Sequence, residues 1–259
     1  METFLFDKTI FGPINSRRLG ISLGINLLPV NRKLCNFDCI YCECGFNDAG
    51  KGIVADLPSR ENVFQLLENK LIEMKNNNSD LDVITFAGNG EPTLHPEFKN
   101  IIADTISLRQ KYFASAKVSV LSNATMLHRP EVIESLKSID QNILKLDSGI
   151  IETILMIDRP TGNFNLQKLI DQLKLFNGNF IIQTMFLRGN IDGCNIDNTT
   201  YTEVKALKDV FAEVKPQKIM IYSLDRNTPF DGLIKVSIDE LKTIALDIEK
   251  LEIEVLVAG

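Results

Sequence analysis

DVITFAGNGEP, residues 82–92, is an apolar run that passes straight into a glycine-rich turn closed by one carboxylate and a proline. Valine, isoleucine, threonine and phenylalanine in succession suit a buried strand. Gly88 and Gly90 let the following backbone approach a ligand closely, and Glu91 supplies an acceptor for an ammonium group. Glu97–Tyr112 follows with apolar residues at helical spacing, and Lys117–Asn123 is again strand-like. Strand, helix and strand at this interval make a βαβ unit, whose two strands are parallel.

The same alternation extends in both directions. Further strands are expected at Gly20–Leu28, Asn142–Asp147, Phe180–Leu187 and Lys218–Leu224, with Ile253–Ala258 as an edge strand. Helices are expected at Ser59–Lys75, Pro130–Leu136, Leu166–Phe176, Thr199–Phe211 and Ser237–Lys250, with Asn177-Gly178 as a helix stop. About six such units predict an α/β fold, a partial (βα)6 TIM-like barrel of parallel strands. Residues 1–259 are read as one domain, with 1–19 as a short segment preceding the first strand. Barrels of this kind carry their chemistry at the C-terminal strand ends. Asn89, Gly90 and Glu91, then Asn123, Asp147 and Arg188, stand there in turn.

Strand periodicity sharpens the choice. Ser119, Leu121 and Asn123 share one face, and Ile143, Lys145 and Asp147 another. If the Lys145 face points into the barrel, its charge needs a partner, either Asp147 or a bound carboxylate; the plainer readings are an edge strand or a structural Lys145–Asp147 pair. Arg188 could clamp a carboxylate or phosphate bidentately, or form a surface salt bridge. Lys145 and Arg188 are therefore the candidates for work on a substrate.

Composition sets outer limits. Hydrophobic residues make up 44% and charged residues 24% of 259. No apolar run approaches the roughly 20 residues of a membrane span, and Met1–Ile10 lacks the layout of an export signal. A cytoplasmic protein without a membrane partner is expected. The net charge of -6 argues against sequence-independent binding to a phosphate backbone. Four of five cysteines fall between Cys35 and Cys44, too close to staple a large chain and better suited to a metal site.

In CNFDCIYC, residues 35–42, three thiols lie at C-x3-C-x2-C spacing. A cubane cluster has four irons, so three thiolates leave one iron open to a substrate. A structural zinc knuckle with Cys44 as its fourth ligand is the competing reading. The loop resembles the C-x3-C-x-aromatic-C motif of the radical S-adenosylmethionine superfamily, with Tyr41 at the aromatic position. The resemblance implies a 4Fe-4S cluster on Cys35, Cys39 and Cys42. It also implies S-adenosylmethionine bound at the open iron, with the backbone beside Tyr41 on adenine, and a 5′-deoxyadenosyl radical formed by reductive cleavage. Gly90, Glu91 and Pro92 are similar to the superfamily's Gly-Gly-Glu-Pro motif, Asn89 replacing the first glycine; that motif holds the methionyl amino group. Leu121–Ala124 resembles the Thr-Asn-Gly segment that contacts ribose through Asn123, and Asp147 resembles the acidic ribose partner. A one-electron reductant such as flavodoxin or ferredoxin is implied as a partner.

A narrower resemblance rests on Phe11–Gly24, Glu91–Pro96, Asp158-Arg159-Pro160, Gln183–Gly189 and Ile221–Arg226. These are similar to a prokaryotic group of Fe-S oxidoreductases related to the tRNA wybutosine-synthesis enzymes. The wybutosine-type enzymes hold a second cluster on cysteines upstream of the triad, whereas no cysteine precedes Cys35. One cluster is expected, and the substrate stays open between a nucleobase or tRNA, a small phosphorylated molecule, and a polypeptide that is modified or given a glycyl radical. Arg17, Arg18, Arg32 and Lys33 flank the cysteine loop and could receive a phosphate or support an anionic cluster. Cys44 and Cys194 are assigned no role.

Overall fold

The computed structural model describes residues 4–16, 18–47, 57–191, 193–226 and 228–258. In chain order the elements are β1 (Ile10–Ser16), β2 (Gly20–Ile25), α1 (Arg60–Asn76), β3 (Val83–Phe86), α2 (Phe98–Tyr112), β4 (Lys117–Ser122) and α3 (Pro130–Lys137). There follow β5 (Gln141–Lys145), α4 (Ile151–Ile157), α5 (Leu166–Lys174), β6 (Ile181–Met185), β7 (Leu187–Ile191) and β8 (Cys194–Asp197). The chain then forms α6 (Tyr201–Val214), β9 (Lys218–Tyr222), β10 (Leu233–Lys235), α7 (Ile238–Ile248) and β11 (Glu254–Ala258).

Eight strands form one curled sheet in the order β1-β2-β3-β4-β5-β6-β9-β11. All its neighbours are parallel except β1 and β2. This is the expected partial barrel, open between β1 and β11. The alternation of side chains explains its two layers. Leu23, Ile25, Ile84, Phe86, Val118, Val120, Leu144, Ile182, Ile219 and Ile221 face outward into the main core with the helices. Ile143, Ile181 and Met220 face inward as a smaller apolar layer, joined by Leu19, Leu121 and Leu256. The polar Ser22, Thr85, Lys145 and Gln183 occupy inward positions further along.

Two expectations change. The segment read as preceding the first strand contains β1, which pairs antiparallel with β2; Gly12 and Pro13 interrupt the alternation that would have marked it. The run Phe180–Leu187 splits, because Asn198 accepts from Leu187 N (2.8 Å) and donates to Met185 O (2.7 Å) and Asp147 O (2.9 Å). The chain therefore leaves the barrel after Met185 and joins the small sheet β10-β7-β8. The short helix α4 was not anticipated.

Helix starts follow capping chemistry. Ser59 accepts from Asn62 N, and Ser237 and Glu240 form a reciprocal capping box. Asn177 and Gly178 both have left-handed backbone, as a stop after α5 requires. Phe86 is fully buried on the outer face of β3, edge-on to Phe98 at 6.2 Å. Phe86→Ala is expected to cost about 3–5 kcal/mol in urea unfolding, against no measurable loss for an exposed position such as Leu246→Ala.

Candidate active site

The cysteine loop is fastened to the barrel by backbone hydrogen bonds on both sides. Leu34 N donates to Asn89 O (2.7 Å), and Glu91 N to Leu34 O (3.1 Å). On the other side Asp38 N donates to Asp158 O and Arg159 O (both 3.0 Å), Ile40 N to Ile157 O (2.9 Å) and Thr161 N to Asn36 O (2.9 Å). The loop thus spans from the turn after β3 to the end of α4. Only glycine permits the first contact: a Cβ on Gly90, whose φ is +140°, would stand 1.7 Å from Leu34 O.

Cys35, Cys39, Cys42 and Cys44 line a cavity of 380 Å³ that also takes in Tyr41, Gly90, Glu91, Asn123, Lys145, Gln183 and Tyr222. Five of the seven expected cofactor and substrate positions, Tyr41, Gly90, Glu91, Asn123 and Lys145, therefore come together with all three thiols. Asp147 and Arg188 do not line it. Asp147 is fully buried behind the wall, where Oδ1 accepts from Met185 N (2.9 Å) and Oδ2 meets the Tyr41 hydroxyl and the Lys145 ammonium. Arg188 corrects the expectation of a substrate clamp. Its guanidinium is held by Glu240 (2.8 Å), Asp197 (3.2 Å) and Thr199 beside the small sheet, because the chain has already left the barrel at that residue.

Glu91 is the anchor of the far wall. Its Oε1 accepts from Thr93 N (3.1 Å), the Thr93 hydroxyl and Ser122 Oγ (2.8 Å), while Oε2 accepts from Asn123 N (2.7 Å). Burial raises its pKa despite these donors, so an arriving ammonium would stabilise the ionised form. Asn89, where the superfamily has glycine, ties in the N-terminal segment: it bonds Phe6 N and Phe6 O (both 2.9 Å) and donates to Pro29 O (2.8 Å).

Lys145 faces the interior, and the structural pair with Asp147 is present as well. Its ammonium pairs with Asp158 (2.8 Å) as well as Asp147, and sits 4.6 Å from the Tyr41 ring centroid. Burial alone would discharge it, but the two carboxylates outweigh burial and hold it charged. Asp158 is pushed up to about 7 by burial, with Lys145 opposing. In the sequence Asp158 stands out only within Asp158-Arg159-Pro160; its pairing with a lysine thirteen positions earlier leaves no local pattern.

Lys33, read only as part of a basic flank, lies under the cysteine loop. It is 4% exposed, and its ammonium donates to Gly45 O (3.1 Å) and pairs with Asp38 (3.3 Å). Burial works against its charge, yet Cys42, Cys35, Cys39 and Asp38 together raise its pKa. Arg17 lies outside the described residues.

The donor set fits the expected cluster. Burial pushes the Cys35 thiol up to about 12 and raises Cys39, whereas a hydrogen bond from Cys44, followed by the charge of Lys33, lowers Cys42 to about 6 against its burial. Ligation would take the protons from the first two. Among the described residues no three His, Cys, Asp or Glu side chains are placed to close on a single metal ion. Cys35, Cys39 and Cys42 all line the cavity, and three thiolates on a cubane would leave its fourth iron open to that space. Asn123 Nδ2 stands 3.6 Å from Cys35 Sγ, and Phe37 N 3.4 Å from the same sulfur, as donors to a thiolate.

Removing the Lys145 charge leaves two carboxylates buried together. Lys145→Met is expected to cost about 3–5 kcal/mol in denaturant unfolding. The folded variant would hold a proton that the unfolded chain releases above about pH 4, so its deficit should grow as pH rises. Asp158→Asn in the same background should recover part of the loss.

A protein-family model described as the radical SAM superfamily matches residues 33–192. A curated relative, the UPF0026 protein of Helicobacter pylori strain J99, is 28% identical over 247 residues, covering 93% of this chain and 74% of its own. A Brachyspira hyodysenteriae protein named GTPase Obg is 29% identical over 228 residues, 86% of this chain. The chain spans only 31% of that relative's length. Streptococcus suis SuiB bound to S-adenosylmethionine shares the fold at TM-score 0.63 and 15% identity, over 90% of this chain and 50% of its own. Archaeal TYW1 shares it at TM-score 0.53 and 12% identity, over 88% of this chain and 71% of its own. The family match begins at Lys33, includes the cysteine loop and reaches past β7, and the chain belongs to the radical SAM superfamily, whose members are enzymes that use a 4Fe-4S cluster, S-adenosylmethionine and a reductant.

Proposed function

We propose that this protein holds a 4Fe-4S cluster on Cys35, Cys39 and Cys42 and cleaves S-adenosylmethionine reductively. One electron arrives from a carrier such as flavodoxin or ferredoxin. Bound at the cluster, S-adenosylmethionine would supply a 5′-deoxyadenosyl radical for hydrogen abstraction from a substrate inside the barrel, with methionine as the leaving group. The observation that carries this reading is the convergence of all three thiols with Gly90, Glu91, Asn123 and Lys145 on one cavity.

Each residue has a task that its surroundings support. Glu91, fixed by four donors, accepts the methionyl ammonium. Gly90 admits the backbone contact that brings the loop beside it. Asn123 faces the ribose, its amide oriented by donation to Asn36 Oδ1 (2.7 Å) and acceptance from Thr125 N (3.1 Å). Tyr41 and Asp147 act by position: together with Asp158 they fix Lys145 at the wall. The cluster, when bound, supplies the electron and a site for the cofactor's amino and carboxylate groups. A nucleobase or small phosphorylated molecule suits an interior site of this size. A cytoplasmic location agrees with this chemistry, which uses reduced thiols and soluble electron carriers. No described helix is long and apolar enough to cross a membrane.

Anaerobic reconstitution followed by reduction and addition of S-adenosylmethionine should yield 5′-deoxyadenosine and methionine in equal amounts. No product with several strong reductants would sink the reading. Cys39→Ala should lose the iron and the visible absorption of the cluster. Glu91→Ala should keep both and weaken cofactor binding by about tenfold or more, the worth of a lost charged hydrogen bond.

A further inference from the structure

The Phe11–Gly24 segment supplies a group that cofactor binding leaves unused. Arg18 lies in the turn between β1 and β2, at the N-terminal end of the parallel strands, and this turn folds into the barrel: Leu19 packs with the inward layer of Ile143, Ile181 and Met220. The Arg18 guanidinium stacks on Tyr222, 4.8 Å from the ring centroid, and lines the cavity that holds the thiols.

Among the described residues, the charged side chains lining this cavity are Arg18, Glu43, Glu91 and Lys145. Glu43 is paired with Arg226 at 2.7 Å. Glu91 and Lys145 are committed as described. Arg18 differs: its Nη1 is buried without a hydrogen-bond partner. Stacking satisfies the flat face of a guanidinium and leaves its N–H edge, where burying an unmet donor is costly. Gln183 carries the complementary defect. Its Nε2 donates to the Tyr222 hydroxyl (2.7 Å), which fixes the amide, and its Oε1 is buried with no donor.

We infer that Arg18, Gln183 and Tyr222 form the substrate's anchoring site, and that the substrate is a small molecule ending in a carboxylate or phosphate. The anion takes the Arg18 N–H edge in a forked pair, and an N–H or O–H of the same molecule donates to Gln183 Oε1. This wall belongs to β6 and β9, whereas Glu91 and Asn123 stand after β3 and β4, so the anchor and the cofactor hold opposite sides of the cavity. The guanidinium lies inside the barrel, which fits a terminal anion entering the cavity and not a phosphodiester backbone lying on a surface. The inference deepens the proposed radical chemistry and rests on it for the cofactor's share of the space.

The test uses inorganic phosphate and malonate as separate probes, titrated calorimetrically into cluster-loaded protein saturated with S-adenosylmethionine. One of them should bind the wild type, which also tells phosphate from carboxylate chemistry. Its affinity should fall at least tenfold in Arg18→Gln and less in Arg18→Lys, which keeps the charge and loses the fork. Gln183→Leu should not abolish probe binding, since neither probe must donate to it, and its melting curve controls for damage to the wall. Equal binding by wild type and Arg18→Gln, or no binding of either probe, overturns the inference. Loss of S-adenosylmethionine binding in Arg18→Gln to the same degree would give Arg18 to the cofactor and overturn it too. Cofactor cleavage by wild type without probe is measured separately, so failure of the radical reading and failure of the anchor give different results.

Discussion

The close passage of Leu34 over Gly90 is the constraint on which the rest of the site depends. Two backbone hydrogen bonds across that contact make the approach to the cysteine loop an extra parallel rung beside the turn after β3. Any side chain at Gly90 would force Leu34 away, and the thiols would move with it relative to Glu91 and Asn123. The loop's other flank is held by backbone groups near Asp158, whose carboxylate pairs with Lys145. The position of the sulfurs and the state of the interior charges are therefore set by one continuous piece of chain.

Polar residues are placed in this barrel according to what can satisfy them. The outer faces of the strands are almost entirely aliphatic and meet helices, where burial supplies most of the favourable free energy. Inside, an apolar layer at Ile143, Ile181 and Met220 closes one part, and the polar groups beyond it are paired with few exceptions. Lys145 has two carboxylates and a phenol; Ser22 and Thr85 share a hydrogen bond of 2.8 Å. Such a buried charge cluster contributes geometry more than stability. It keeps Tyr41, and with it the end of the cysteine loop, at a defined distance from β5.

Much of this was legible in the sequence for reasons that are local. The strands, their parallel order and their polar ends follow from periodicity over a few residues, and the thiol spacing states its chemistry within eight positions. What was missed depends on contacts across long separations. β1 is a strand only because β2 lies beside it, and the split after Met185 is made by Asn198. Arg188 looked like a strand-end residue of the barrel, and became a surface ion pair once the chain had turned away. Asp147 fell on the inward face as expected, yet a residue past the strand end need not reach the cavity, and Tyr41 and Lys145 stand in front of it.

The gap between β1 and β11 has a consequence for how such a chain diversifies. A closed barrel has a bore set by its strand number and shear, and it widens only by breaking ladder bonds. Here the last strand is attached through β9 on one side alone and backed by α7. Its place in the sheet is held on the outer side by Ile244, Ala245, Val255 and Val257, which pack into the main core. Among the described residues none of β11 lines the cavity, so substitutions there reach the last strand without touching the hydrogen bonds around Glu91 and the thiols. Room for change and retention of the chemistry are thus assigned to separate parts of a single sheet.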